Sequence, residues 1–248
     1  MIRRSRFALG VLFVSSLLAI TARPAAAQDT EQVKPTKITA DAAYISTNGN
    51  TEVTTLSGGD RLEHKTGNWL FTQEARAVWG EADGEENAGK YNALLRPDYL
   101  LSERVSAYAL GAWRRDAFSG ISREFEEGVG LSWHALTGKV NQVDLDGGVG
   151  LIQRKDTIGG QSDFSTTRAG ARYKHSFTEK AYFEARGAYL FNLEDGDDSQ
   201  GNGSLSLVAP IAGKFAMKLS YDVFYRNKPL DDFEKTDTTF GAGIQFAN

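Results

Sequence analysis

The chain has 248 residues, no cysteine, and 28 Lys and Arg against 32 Asp and Glu, for a formal net charge of −4. The acidic balance disfavours nucleic acid as a partner, and the lack of cysteine excludes disulfides and thiolate metal sites. No stretch past residue 27 is long and apolar enough for a membrane helix, so any membrane role falls to strands.

At the N-terminus Arg3, Arg4 and Arg6 precede an apolar run from Phe7 to Ile20, and Ala25-Ala26-Ala27 follows. This is the three-part layout of a bacterial export signal, with cleavage expected after Ala27. The run is shorter than the roughly 20 residues a membrane anchor needs. Cleavage removes Arg3, Arg4, Arg6 and Arg23 and no carboxylate, so the mature chain is more acidic still. Residues 28–36 read as a polar lead and 37–248 as the folded domain.

From residue 37 onward, apolar and polar residues alternate with a period of two, the signature of strands. Segments 37–46, 51–65 and 69–80 come first, and the third places Trp69, Phe71, Ala75, Ala77 and Trp79 on one face. Strands over 87–100 and 104–115 follow, the latter with Trp113 near its end. Strand 122–136 carries Trp133 near its end and Ser132 and His134 on the opposite face. Strand 141–154 holds Asp144 and Asp146; strand 164–177 sets Arg168, Arg172 and Lys174 against Tyr173 and Phe177. Strand 180–192 sets Glu184 and Arg186 against Phe183, Tyr189 and Phe191. After 203–211, strand 214–226 puts Phe215, Met217, Leu219, Tyr221, Val223 and Tyr225 on one face and Lys218, Ser220, Asp222 and Arg226 on the other; strand 236–247 closes the series beside Phe246.

The connections alternate in character. One set is short: Thr66-Gly67-Asn68, Ser102-Glu103, Thr137-Gly138-Lys139, Thr178-Glu179 and Ala212-Gly213. The other set is longer and polar: "EADGEEN" from Glu81, "DAFSGIS" from Asp116, "KDTIGGQSD" from Lys155, "LEDGDDSQGN" from Leu193 and "NKPLDDFEKT" from Asn227, with "TNGN" at Thr47 a short exception. Short turns at one end and long loops at the other characterise an outer-membrane barrel, and a soluble sandwich has no reason to sort its loops this way. The fold class expected is therefore all-β: a closed, antiparallel, up-and-down transmembrane β-barrel of about 12 strands. The apolar faces then meet lipid. Trp69, Trp133, Tyr173, Phe183, Phe215 and Phe246 belong to the turn-side aromatic girdle, and Trp79, Trp113 and Tyr225 to the loop-side girdle. Asp144, Asp146, Arg168, Arg172, Lys174, Glu184, Arg186, Lys218 and Asp222 line a wet lumen.

Five stretches carry a family resemblance: "STNGNT" (Ser46–Thr51), "RRDAFSGI" (Arg114–Ile121), "EEGVGLSWHAL" (Glu126–Leu136), "NLEDGDD" (Asn192–Asp198) and "FEKTDTTF" (Phe233–Phe240). In order and spacing they resemble a proteobacterial family often called salt-induced outer-membrane protein, catalogued as a domain of unknown function. The resemblance spans about residues 38 to 246. It implies an outer-membrane barrel in a Gram-negative cell, without an assigned activity. Two positions depart from the family pattern: Ala117 stands where an Arg commonly follows the Asp, and the chain ends Phe246-Ala247-Asn248 rather than on an aromatic residue.

The chemistry on offer is sparse. Ser132 and His134, with Asp144 and Asp146 on the neighbouring strand, compose a candidate hydrolase triad. Three dispersed histidines and no cysteine argue against zinc. Glu194, Asp195, Asp197 and Asp198 form an acidic run that could take calcium, although its spacing is not that of an EF-hand. No cofactor motif is found. Three functions stand: a narrow passive pore, a structural or envelope-stress barrel with a salt-bridged lumen, and a lumen-sited hydrolase. A soluble lipocalin-like binder is the outsider. The implied partners are outer-membrane lipid and lipopolysaccharide and the barrel-assembly machinery; the oligomeric state is not legible.

Overall fold

The computed structural model describes residues 35–47, 53–82 and 84–248. The leader and most of the first loop lie outside the described residues. The strands are β1 (Thr36–Thr47), β2 (Val53–Thr66), β3 (Trp69–Ala82), β4 (Glu85–Ser102), β5 (Val105–Asp116), β6 (Ile121–Thr137), β7 (Asn141–Asp156), β8 (Gln161–Ser176), β9 (Tyr182–Asn192), β10 (Gln200–Ala212), β11 (Phe215–Arg226) and β12 (Thr236–Ala247). Each pairs antiparallel with its sequence neighbours, and β1 pairs with β12 to close the ring. Closure removes the free edges that a bilayer does not tolerate.

Alternation decides which side each residue takes. Val129 and Leu131 on β6 are 58% and 56% exposed and point outward, while Ser132 between Leu131 and Trp133 is buried in the lumen. On β11, Phe215, Met217 and Tyr221 are exposed, and Ala216 and Ser220 are buried. The oily face is the outer face on every strand, the reverse of a soluble sandwich. The only cluster of buried apolar residues among the described residues is Ile152, Phe164 and Leu190, inside the ring.

Two-residue turns join β2 to β3 at Gly67-Asn68 and β10 to β11 at Gly213-Lys214. Gly67 and Gly213 adopt φ of 56° and 57°, the positive values that a hairpin of this kind requires at its first central residue. The start of β1 and the end of β12 lie at this turn side, where Ala247 stands opposite Thr39.

The opposite side is less looped than the sequence suggests. β3 runs to Ala82 and β4 starts at Glu85, so "EADGEEN" is mostly strand. β7 and β8 likewise absorb the ends of "KDTIGGQSD", and "DAFSGIS" tightens to a 3-10 turn at Ala117–Ser119. Polar residues end the apolar band but not the ladder: past the lipid, backbone pairing needs no oily face. The connections that remain long are Leu193–Ser199 and Asn227–Lys235, with β1–β2 outside the described residues.

The seam between β1 and β12 is short. Its register covers four pairs, Thr39↔Ala247 to Ala42↔Ile244, whereas β1 and β2 pair along their whole length. Asn248 extends the seam by one step: its backbone N–H donates to the Ile38 carbonyl at 3.2 Å, and its side-chain oxygen accepts from the Ile38 N–H at 3.0 Å.

Candidate functional site in the lumen

The inward positions form an ion-pair lattice. Arg61 bonds Glu63 and Glu74, each at 2.7 Å, and Glu74 also accepts from Arg186 at 2.8 Å. β3 and β9 stand opposite each other in the ring, so the Glu74–Arg186 pair spans the lumen. Arg172 bonds Glu184 at 2.8 Å and Asp144 at 3.1 Å. Arg168 bonds Glu126 at 2.8 Å and sits 3.5 Å from Asp146, which also faces Arg96 at 3.5 Å. Lys218 bonds Asp41 at 2.6 Å, and Arg76 lies between Asp41 and Asp222 at 3.8 and 3.7 Å. The Lys174 ammonium lies 4.3 Å over the Tyr182 ring.

A second contact crosses the lumen. The Arg114 guanidinium stacks 3.3 Å over the Phe224 ring, and β5 and β11 are also opposite. At the loop-side mouth, Arg154 is wholly buried and donates to Glu124 at 2.7 Å, Asp198 at 2.9 Å and Gln200 at 2.6 Å. Arg226 donates to Asp198 at 3.3 Å. Beside Asp41, Arg76, Lys218 and Ser220 a void of about 10 Å³ remains, room for a single water. Tyr108 fills another part of the lumen by lying across Gly130 and Gly148, where added Cβ atoms would fall 2.6 Å from its ring end.

All nine lumen charges expected from the sequence point inward. The same parity on β2, β3 and β4 turns Arg61, Glu63, Glu74, Arg76, Arg96 and Asp98 inward as well; the alternation there was a sufficient signal, and sequence reasoning passed over it. Arg226 follows the polar face of Lys218 and Asp222 inward, as its parity implied; Glu124 and Arg154 sit so close to the expected loops that parity gave them no assignment. The residues expected in the girdles, Trp69, Trp79, Trp113, Trp133, Tyr173, Phe183, Phe215, Tyr225 and Phe246, take outward positions. Trp69 packs edge-on against Tyr99 at 4.9 Å, and Phe215 meets Phe246 at 5.7 Å.

The candidate triad is rearranged. His134 Nδ1 lies 2.7 Å from Asp144, but Nε2 faces Ser106 at 3.3 Å rather than Ser132. Ser132 instead accepts from Arg96 at 2.6 Å, because cross-strand register places Ser106 directly opposite Ser132. Ser106 is 2% exposed, and the backbone around it is committed to the β4–β5 and β5–β6 ladders. A nucleophile needs access for a carbonyl, and burial denies Ser106 that access. The acidic run is also dispersed. Asp198 turns into the mouth toward Arg154 and Arg226, Asp195 pairs with Lys228 at 2.7 Å, and Glu194 accepts from the Ser165 N–H at 3.2 Å. Among the described residues no three His, Asp or Glu converge as a metal site.

A ring of twelve antiparallel strands with an apolar outer face, an ion-paired interior and its seam ends at the turn side is the fold of bacterial outer-membrane barrels. The NanC porin shares it, with a TM-score of 0.51 at 12% identity over 85% of this chain and 98% of that one. An outer membrane channel from Pseudomonas putida F1 aligns with a TM-score of 0.49 at 8% identity over 86% and 94%. The family model described as "Protein of unknown function, DUF481" matches residues 40–247, and the chain belongs to that family. The uncharacterized protein YdiY of Escherichia coli (strain K12) is 25% identical over 218 residues, covering 85% of this chain and 83% of YdiY.

Proposed function

We propose that the protein is a structural barrel of the outer membrane whose lumen is held shut by ion pairs, rather than an open passive pore. One observation carries this reading: Glu74–Arg186 and Arg114–Phe224 each bridge opposite walls. A solute path would have to break both. Most of the surrounding charges lie within 4 Å of an opposite charge, while Arg114 Nη2, Arg168 Nε and Asp146 Oδ2 are buried without a hydrogen-bond partner among the described residues. The buried Ser106 supports a polar packing role for the His134 cluster, not catalysis.

The chain reaches the envelope through its leader and is inserted by the assembly machinery, for which Phe246 on the last strand is the aromatic handle. Its girdles then contact lipid and lipopolysaccharide. N-terminal sequencing of envelope protein reads Gln28-Asp29-Thr30, and unboiled and boiled samples migrate differently on a detergent gel.

The decisive measurement is single-channel recording in planar bilayers. Wild-type protein gives no stable unitary steps, and a variant combining Glu74→Ala, Arg186→Ala and Arg114→Ala gives them. Reproducible steps from the wild type would overturn the closed reading in favour of a pore.

A further inference from the structure

Two carboxylates point outward within the apolar band. Glu127 lies one outward position from Phe125 at the loop-side girdle, where its side chain reaches headgroups. Asp60 has no such escape. It stands opposite Ala40 on β1 and Ala75 on β3, sharing the outward face of Leu56 and Leu62. Ala75 lies between Trp69 and Trp79, which mark the two girdles on β3, so Asp60 sits deep in the hydrocarbon. Gln73, opposite Leu62, is its diagonal neighbour on the same face.

Their inward neighbours Arg61 and Glu74 bond each other, but neither Asp60 nor Gln73 has a hydrogen-bond or ion-pair partner among the described residues. Acyl chains offer no donor or acceptor, so polar groups at this depth call for a protein partner. Small side chains surround Asp60: Ala40, Ala42, Gly58, Ala75, Ala77 and Ala93. Leu62 and Leu95 flank Gln73, and β6 and β7 present the larger Val129, Leu131, Val149 and Leu151 to lipid. Small side chains are what allow two walls to approach within a bilayer.

We propose that this face of β1 to β4 is the contact surface of a homodimer in the membrane. A two-fold axis beside Asp60 and Gln73 lets each Asp60 carboxylate accept from the Gln73 amide of the other copy. A two-fold contact is self-complementary, so one donor–acceptor pair on the patch is satisfied twice. Direct Asp60–Asp60 opposition would repel; the reciprocal exchange with Gln73 avoids it. The contact also covers the lipid side of β1, whose seam with β12 is four pairs long.

The native chain has no cysteine, which makes crosslinking direct. In lipid vesicles, Ala75→Cys forms a disulfide dimer under mild oxidation, and Val149→Cys, outward on distant β7, does not. In nanodiscs, mass measurement gives a dimer for the wild type and a monomer for Asp60→Leu/Gln73→Leu, whose side chains suit lipid and leave the barrel heat-modifiable. Gln73→Glu, setting carboxylate against carboxylate, also gives a monomer. A monomeric wild type, equal crosslinking at both cysteines, or a dimer that survives the leucine pair would each overturn the proposal.

Discussion

Replacing Arg154 with Met tests whether the loop-side mouth is held by charge. Arg154 is wholly buried and holds Glu124, Asp198 and Gln200, each within 2.9 Å. Met keeps much of the packing against Phe164, over which the guanidinium lies at 5.1 Å. What it removes is the counter-charge of Glu124, itself buried. Breaking one side of a buried pair costs about 3–5 kcal/mol because the other charge is left uncompensated. Asp198 retains Arg226 at 3.3 Å, so its share of the loss is smaller. The assay is urea unfolding in detergent micelles, followed by tryptophan emission and by the heat-dependent gel shift. Arg154→Met lowers stability by about 3–5 kcal/mol, and adding Glu124→Gln, which removes the stranded charge, restores most of it. A loss below about 1 kcal/mol, the range of an exposed pair, would refute the claim that this mouth is a desolvated ion-paired plug, as would a double variant no better than the single one.

Other outcomes follow from the same geometry. Leu219→Arg places a charge in the lipid band and costs about 2–4 kcal/mol; labels on Leu219→Cys and Ser220→Cys separate the faces, the first quenched by lipid-soluble reagents and the second shielded from them. An Arg at Ser220 is not the mild change that a wet lumen would permit, because Ser220 is buried and its hydroxyl lies 3.5 Å from Arg76. Gly130→Ala drives a methyl into the Tyr108 ring and the Gly147 carbonyl, costing about 1–3 kcal/mol in the same unfolding assay, and Tyr108→Ala relieves part of it. Lys228 hydrogen-bonds Asp195 and holds its carboxyl below the usual range, while Asp195 raises the Lys228 ammonium above its own. The depressed carboxyl means that this tie between the two long loops is present at neutral pH and lost as pH falls through the carboxylate range. Limited proteolysis of Leu193–Ser199 therefore accelerates on acidification, and Lys228→Ala removes that pH dependence.

The alternation of Phe215 to Arg226 was enough to find a strand, and twelve such segments were enough to find the barrel. The strand ends were harder. Glu85 and Glu86 are too polar to extend an apolar pattern, yet they continue the ladder because pairing beyond the lipid is decided by the backbone. Parity placed Asp144 and Arg172 in the lumen, but no periodicity could say that Glu74 reaches Arg186 across it, since that contact depends on ring closure and on which strands face each other. The same limit moved the partner of His134 from Ser132 to Ser106: alternate residues along a strand point the same way, but a hydrogen bond runs to whatever the adjacent strand presents. Asp60 was legible as an exception, sharing the parity of Leu56 and Leu62, though its significance emerges only once that face is seen to be the outer face of the ring.

The brevity of the β1–β12 seam bears on how the barrel forms. Every other pairing joins strands adjacent in the chain, so each can zip from its own hairpin with little loop-closure entropy. The seam alone joins opposite ends of the domain, Thr39 to Ala247, and has the least ladder to offset that cost. Closure is then the last step of folding and the first to reverse, and its rate depends on the Asn248–Ile38 clamp. Asn248 thereby adds to the seam a step that its register lacks. Deleting it leaves the hairpins intact, slows closure and lengthens the time for which two bare strand edges stand open to misassembly.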